Sequence, residues 1–258
     1  MLRFRKQKND SELEMGFLDH LEELRWRIIK MLISVVLCGI IIAFFSDWVV
    51  NEVILAPAKH VHPPLRLINV SPYGQVLFYL EVIIIGGLIL SVPFILYQFW
   101  KFIEPGLLPK ERQYVSSIVG FTSLCFFTGV LFAYFVILPQ ALGFFAVFGS
   151  SMIENMIDVK EYRSFVLSLI LASGLVFELP MISYFLARFG IITTDFMRKY
   201  RRHAIVVILI LAGVLTPGPD VTSQVCLGIP LIVLYEISIL IARFAQKKRA
   251  KANAMETI

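Results

Sequence analysis

The chain has 258 residues, 58% of them hydrophobic and only 17% charged, with a net charge of +5 and a mean hydropathy of +0.78. Globular proteins run near roughly 45–50% apolar and about 25% charged, so the balance excludes a disordered chain and argues against a soluble domain. The apolar residues come in long blocks, which points to an all-α polytopic membrane protein, and the basic residues lie between those blocks, where they read as topology determinants with no nucleic-acid partner.

In chain order, Ser11-Glu12-Leu13-Glu14 has the spacing of a capping box and predicts a helix start. Leu13, Phe17, His20 or Leu21, Leu24 and Ile28 then recur at helical spacing, giving an apolar stripe and an interfacial helix over residues 11–27. Glu23 and Arg27 stand four apart, Glu22 and Arg25 three apart; read by spacing alone, these are self-satisfied pairs worth about 0.2–0.5 kcal/mol each. The first apolar block starts only at residue 28, behind an acidic segment and without a small-residue cleavage site, so no cleavable signal is expected.

Apolar stretches follow at 28–45, 76–100, 114–138, 165–189, 204–215 and 225–242. A spanning helix needs about 20 residues to cross roughly 30 Å of hydrocarbon. The first four qualify, with Lys30 able to snorkel from the end of the first. The fifth has 12 residues before Thr216-Pro217-Gly218-Pro219, a length of about 18 Å. The last pair is therefore either a short spanning hairpin in a locally thin bilayer or a re-entrant one; six transmembrane helices are the preferred reading.

Residues 46–75, which include Pro57, Pro63, Pro64 and Pro72, and residues 139–164, which include Glu154, Asp158, Lys160 and Glu161, read as structured extracytoplasmic caps. Residues 243–258 form a basic tail. Lys and Arg number nineteen in segments 1–27, 101–113, 188–203 and 243–258, against four in the segments of the opposite side, which places both termini in the cytoplasm. Pro93, Pro180 and Pro230 fall inside helices two, four and six. Kinks there would favour a curved, concave helix wall, although prolines are also simply common in membrane helices. Cys38, Cys125 and Cys226 lie in apolar blocks and read as buried thiols. No P-loop, GxSxG or metal-ligand spacing occurs, so neither an enzyme nor a cofactor is expected.

Glu178 lies near the middle of helix four. A central carboxylate costs at least ~2.5 kcal/mol, so it must be protonated or find a hydrogen-bond partner. With no basic residue at mid-membrane depth, a polar group from another protein's helix is a natural partner, and Ser173 or Thr128 is the internal alternative. A small-solute secondary transporter using Glu178 as a protonatable coupling site is the competing function, although no inverted repeat is evident. Glu81 and Glu236 stand near helix ends, within reach of water, and Asp220 and Gln224 can cap the start of helix six.

Several of these segments share one resemblance. His20-Leu21-Glu22-Glu23-Leu24-Arg25-Trp26-Arg27 resembles the HLxELRxR signature of the TatC family, the core of the twin-arginine protein translocase. Phe102-Ile103-Glu104-Pro105-Gly106-Leu107 with Glu111-Arg112 resembles its FxxPGLxxxER loop, Phe177-Glu178-Leu179-Pro180 its FExP, and Thr216 through Gln224 its TPPDxxSQ loop, lengthened here to Thr-Pro-Gly-Pro-Asp. The resemblance covers nearly the whole chain and implies a receptor for signal peptides bearing two consecutive arginines. Glu23 and Glu111 would then belong to the recognition surface, since planar guanidinium groups want carboxylates that accept paired hydrogen bonds. Arg25, Phe102 and Arg112 would belong to the same surface, Pro57, Pro105 and Asp220 to loop structure, and Glu178 and Gln224 to intramembrane contact with partners. The implied setting is a bacterial-type cytoplasmic membrane, an oligomeric complex with single-span TatA- and TatB-type subunits, folded cargo, and energy drawn from the proton gradient. Glu81 stands where many family members carry a basic residue, a departure from the pattern.

Overall fold

The computed structural model describes residues 2–104, 115–148, 156–215 and 221–256. Its elements are α1 (Leu2–Phe44), a helical turn at Ser46–Trp48 that widens into a π-helical stretch at Val49–Ile54, α2 (Ala56–His60), β1 (Arg66–Ile68), α3 (Gly74–Ile103) and α4 (Val115–Phe132). A second π-helical stretch at Ala133–Ile137 leads to α5 (Leu138–Val147), β2 (Met156–Asp158), α6 (Val159–Val176), α7 (Leu179–Phe189), α8 (Thr194–Lys199), α9 (Arg201–Leu215) and α10 (Val221–Glu256). Among the described residues five stretches are long and apolar enough to cross a bilayer: Asp19–Phe44, Gly74–Ile103, Val115–Val147, Val159–Arg188 and Gly228–Lys247. The protein is thus a polytopic helical membrane protein, the class that its composition predicts. α9 has 15 residues, about 22 Å of helix, and falls short of those five.

Helix ends differ from the expected ones in an instructive way. α1 passes through Ser11 without starting there; no proline or glycine precedes it, so the helix extends upstream and the capping spacing marks no boundary. α10 carries on through the basic tail to Glu256, again because no breaker intervenes. The prolines also divide. α3 continues through Pro93 and α10 through Pro230, whereas the fourth span is interrupted at Phe177 and Glu178, with Pro180 in the first turn of α7. A proline there is tolerated because its missing N–H would be an orphan anyway. The Phe177 N–H donates to the Ser173 carbonyl at 3.0 Å and the Glu178 N–H to the Leu175 carbonyl at 3.1 Å, which closes the end of α6.

The chain divides into two compact units, the first comprising Met1–Phe44 and Ile83–Ser123, the second Phe45–Val82 and Leu124–Ile258. In the first, α1 and α3 run antiparallel and meet at glycines. A Cβ on Gly87 would lie 2.7 Å from both Cα and N of Gly39, and one on Gly86 would lie 3.2 Å from the Ile42 side chain. Without a hydrophobic drive between helices in lipid, such backbone approach supplies the dispersion contact that holds them. Outward, α1 exposes Leu32, Val36, Leu37 and Phe44, as a lipid-facing surface should.

In the second unit the core gathers Phe126, Leu138, Leu142, Tyr162, Val166 and Leu169, all nearly or fully buried. β1 and β2 pair in parallel, Leu67 opposite Ile157. The first π-helical stretch is fastened by two phenols: Tyr162 Oη donates to the Ile54 carbonyl at 2.6 Å and Tyr134 Oη to the Val53 carbonyl at 2.9 Å. α7, α8 and α10 share a small core of Ala187, Met197, Ile239, Ala242 and Ala245. Polar ties border it, with Tyr235 Oη donating to the Met197 carbonyl at 2.9 Å and Thr194 Oγ1 to Gln246 Oε1 at 2.7 Å.

Candidate functional site

His20, Glu23 and Arg27 fall at positions i, i+3 and i+7 of one unbroken helix, so their side chains share a face. Glu23 Oε1 accepts from Arg27 Nε at 3.1 Å and from Arg27 Nη2. Its other oxygen, Oε2, faces His20 Nδ1 at 3.7 Å. The guanidinium therefore occupies one oxygen and leaves the second to a weaker neighbour. The two sides of the pair differ in access: the Arg27 side chain is 13% exposed and that of Glu23 37%. Solvent reaches the pair from the glutamate side, which keeps its worth to roughly 0.2–1 kcal/mol. Of the two pairs that spacing alone suggests, Glu23–Arg27 forms, whereas Glu22 and Arg25 make no ion pair among the described residues. Arg25 is exposed.

The His20 ring in turn stacks on Phe102, near the end of α3, with centroids 4.4 Å apart and planes 15° apart. This contact ties the α1 signature to the beginning of the second motif. Pro105, Glu111 and Arg112, the rest of that motif, lie outside the described residues, as does Asp220.

Glu178 sits at the break between α6 and α7 and is 8% exposed. Its Oε1 is buried without a hydrogen-bond partner among the described residues, and so is Ser173 Oγ. Thr128 Oγ1 donates to the Leu124 carbonyl of its own helix at 2.7 Å, so neither hydroxyl expected as an internal partner satisfies the carboxyl. Gln224, in the first turn of α10, donates from Nε2 to the Leu209 carbonyl of α9 at 2.7 Å, bridging two helices across their connection. Pro57 is buried in the first turn of α2.

Two ion pairs lay beyond sequence reasoning: Arg201 Nη2 stands 2.9 Å from Glu236 Oε2, so Glu236 too has a cation beside it, and the other pair is buried on its arginine side. Arg163 Nε stands 2.7 Å from Glu81 Oε2, with the arginine side chain only 4% exposed and the glutamate 44%. Arg163 Nη1 is buried with no hydrogen-bond partner among the described residues. Glu81, which was expected simply to reach water, instead neutralises a buried cation. The available signal was Arg163 itself, flanked by Tyr162, Phe165 and Val166; nothing local points to its partner.

The chain resembles known proteins along most of its length. A family profile described as "Sec-independent protein translocase protein (TatC)" matches residues 19–230. A protein of Carboxydothermus hydrogenoformans named "Sec-independent protein translocase protein TatC" is 40% identical over 234 residues, 91% of this chain and 95% of that protein. One of Aquifex aeolicus with the same name is 37% identical, over 91% of this chain and 98% of that protein. A solved structure described as "Crystal Structure of Twin Arginine Translocase Receptor- TatC" superposes with a TM-score of 0.77 at 36% identity, over 88% of this chain and 99% of its own.

Proposed function

The chain belongs to the TatC family of Sec-independent protein translocase proteins, and from that premise we propose that it is the receptor that binds twin-arginine signal peptides and the core of a translocase for folded proteins. Family membership makes it a membrane-embedded translocase component rather than a catalytic enzyme. The observation that carries the receptor reading is the stack of His20 on Phe102, which seats the Glu23 carboxylate beside the chain entering the Glu111 loop. One arginine of the visiting peptide takes the Glu23 carboxylate in place of Arg27, and Glu111 takes the other. Both are charge-assisted hydrogen-bonded pairs, and the peptide gains over the single Arg27 contact by engaging two carboxylates at once. Arg25, Phe102 and Arg112 complete the surface.

The setting is a bacterial-type cytoplasmic membrane with both termini inside, single-span TatA- and TatB-type subunits as partners in an oligomeric complex, and the proton gradient as energy source. Glu178 and Gln224 serve the assembled state, Glu178 because a buried oxygen without a partner is the polar group a second helix can satisfy. Family membership sets aside the solute-transporter alternative. The test is site-specific photocrosslinking at Phe102 in inverted vesicles, comparing a twin-arginine precursor with its twin-lysine counterpart. Crosslinking is expected with the first and lost with the second; equal crosslinking rejects the receptor reading.

A further inference from the structure

Between α1 and α3, within the first unit, lies a cavity of about 350 Å³. Along both helices its lining residues fall between two contacts already described, the His20–Phe102 stack and the Gly39–Gly87 approach. From Gly39 to Lys30 is nine residues of helix, about 13 Å, so the cavity opens where the apolar block of α1 begins, at the depth of lipid headgroups. Its walls carry Arg27, Lys30 and Lys101 against the single carboxylate of Glu23. That carboxylate is held by Arg27, so the cavity keeps a net positive charge. Lys30 makes no ion pair among the described residues. Lys101 Nζ is steadied by Tyr97, 3.4 Å from its hydroxyl and 5.6 Å from its ring centroid.

We infer that this cavity is a binding site for the phosphate headgroup of an anionic phospholipid. Three features select that occupant. Three cations against one carboxylate favour an anion beside Lys30 and Lys101. Trp26, 54% exposed, and Tyr97, 39% exposed, are amphipathic rings of the kind that settle at headgroup level, which a soluble anion would not require. Next to the cavity α1 exposes Leu32, Ile33 and Val36, and α3 exposes Leu90 and Phe94, apolar rows along which acyl chains can lie. Basic pockets between spanning helices on the cytoplasmic side are a recurrent form of lipid site. The bound phosphate bridges Lys30 and Lys101 and stands within reach of Arg27. Glu23 and Arg27 line this cavity as well, so the inference rests on the proposed receptor surface for its setting, and its test is placed on Lys30 and Lys101, which that surface does not use.

The test is native mass spectrometry of the full chain released from detergent with added dioleoyl phosphatidylglycerol or dioleoyl phosphatidylcholine. The anionic phosphatidylglycerol should be retained about tenfold more strongly than the zwitterionic phosphatidylcholine, or better. The paired change Lys30→Gln and Lys101→Gln should weaken its retention by about tenfold or more while twin-arginine crosslinking persists. Lys30→Arg with Lys101→Arg should restore retention, and Lys59→Gln with Lys199→Gln should leave it unchanged. Equal retention of the two lipids, or undiminished retention by the glutamine pair, overturns the site. Displacement of the lipid by inorganic phosphate at matching concentration would instead make it a site for soluble anions. Displacement by an acidic peptide would make it a protein-docking site.

Discussion

His20 and Phe102 stack face to face at 4.4 Å, although one belongs to the first helix and the other closes the second long one. The imidazole thereby does two things: it fixes the end of α3 against α1, and its Nδ1 edge stands 3.7 Å from Glu23 Oε2. The arginine-binding role proposed for Glu23 should therefore be sensitive to the His20–Phe102 contact.

Replacing Phe102 by Ala should weaken binding of a twin-arginine peptide by roughly two- to tenfold, the equivalent of an aromatic pair worth about 0.5–1.5 kcal/mol. Phe102→Tyr should retain the affinity. Fluorescence anisotropy with a labelled peptide reads both, and equal loss in the two variants would show that the ring does something other than stack.

Charge reversal of Glu23 and Glu111 together should abolish peptide binding while the protein still inserts. Arg27→Gln should do the opposite and raise affinity by up to about fivefold, because it removes an internal competitor worth roughly 0.2–1 kcal/mol. A lower affinity in Arg27→Gln would mean that the guanidinium organises the carboxylate rather than blocking it.

At the contact of α1 with α3, Gly87→Ala places a methyl 2.7 Å from the Gly39 backbone, which cannot yield as a flexible side chain would. Overpacking of this kind costs about 1–3 kcal/mol. Gly120→Ala, whose Cβ meets nothing within 4 Å, should be neutral or stabilising by about 0.5–1 kcal/mol. Thermal unfolding in detergent should separate the two variants clearly.

Glu81→Gln should destabilise the second unit by leaving the guanidinium of Arg163 buried and uncompensated. A fully buried pair would cost about 3–5 kcal/mol to break. The half-exposed glutamate side brings the expectation down to about 1–3 kcal/mol. The double change Glu81→Leu with Arg163→Met should recover much of that loss, and a double-mutant cycle of unfolding midpoints measures the coupling.

Glu178→Ala should spare peptide recognition yet impair export. The variant that exports normally in inverted vesicles with a full gradient would remove any intramembrane role for the carboxyl. If export fails, co-purification of the single-span subunits distinguishes lost assembly from lost transport.

What was readable along the chain was whatever depends on local composition. Membrane class and the existence of the long helices follow from runs of apolar residues, because hydrocarbon thickness sets element length. The Glu23–Arg27 pair follows too, since four residues on a helix are neighbours by geometry alone. Helix ends were less readable, because a capping spacing or an internal proline marks a boundary only where the surroundings do not carry the helix onward; Ser11, Pro93 and Pro230 are passed, and Pro180 is not. Tertiary structure alone decided which distant groups meet. Tyr162 reaches a carbonyl 108 residues away, Arg163 finds Glu81, and His20 finds Phe102. Each of those contacts depends on how helices are placed side by side, for His20 and Phe102 by the close approach of α1 and α3 at Gly39 and Gly87, and such placement leaves no periodic trace in the residues themselves.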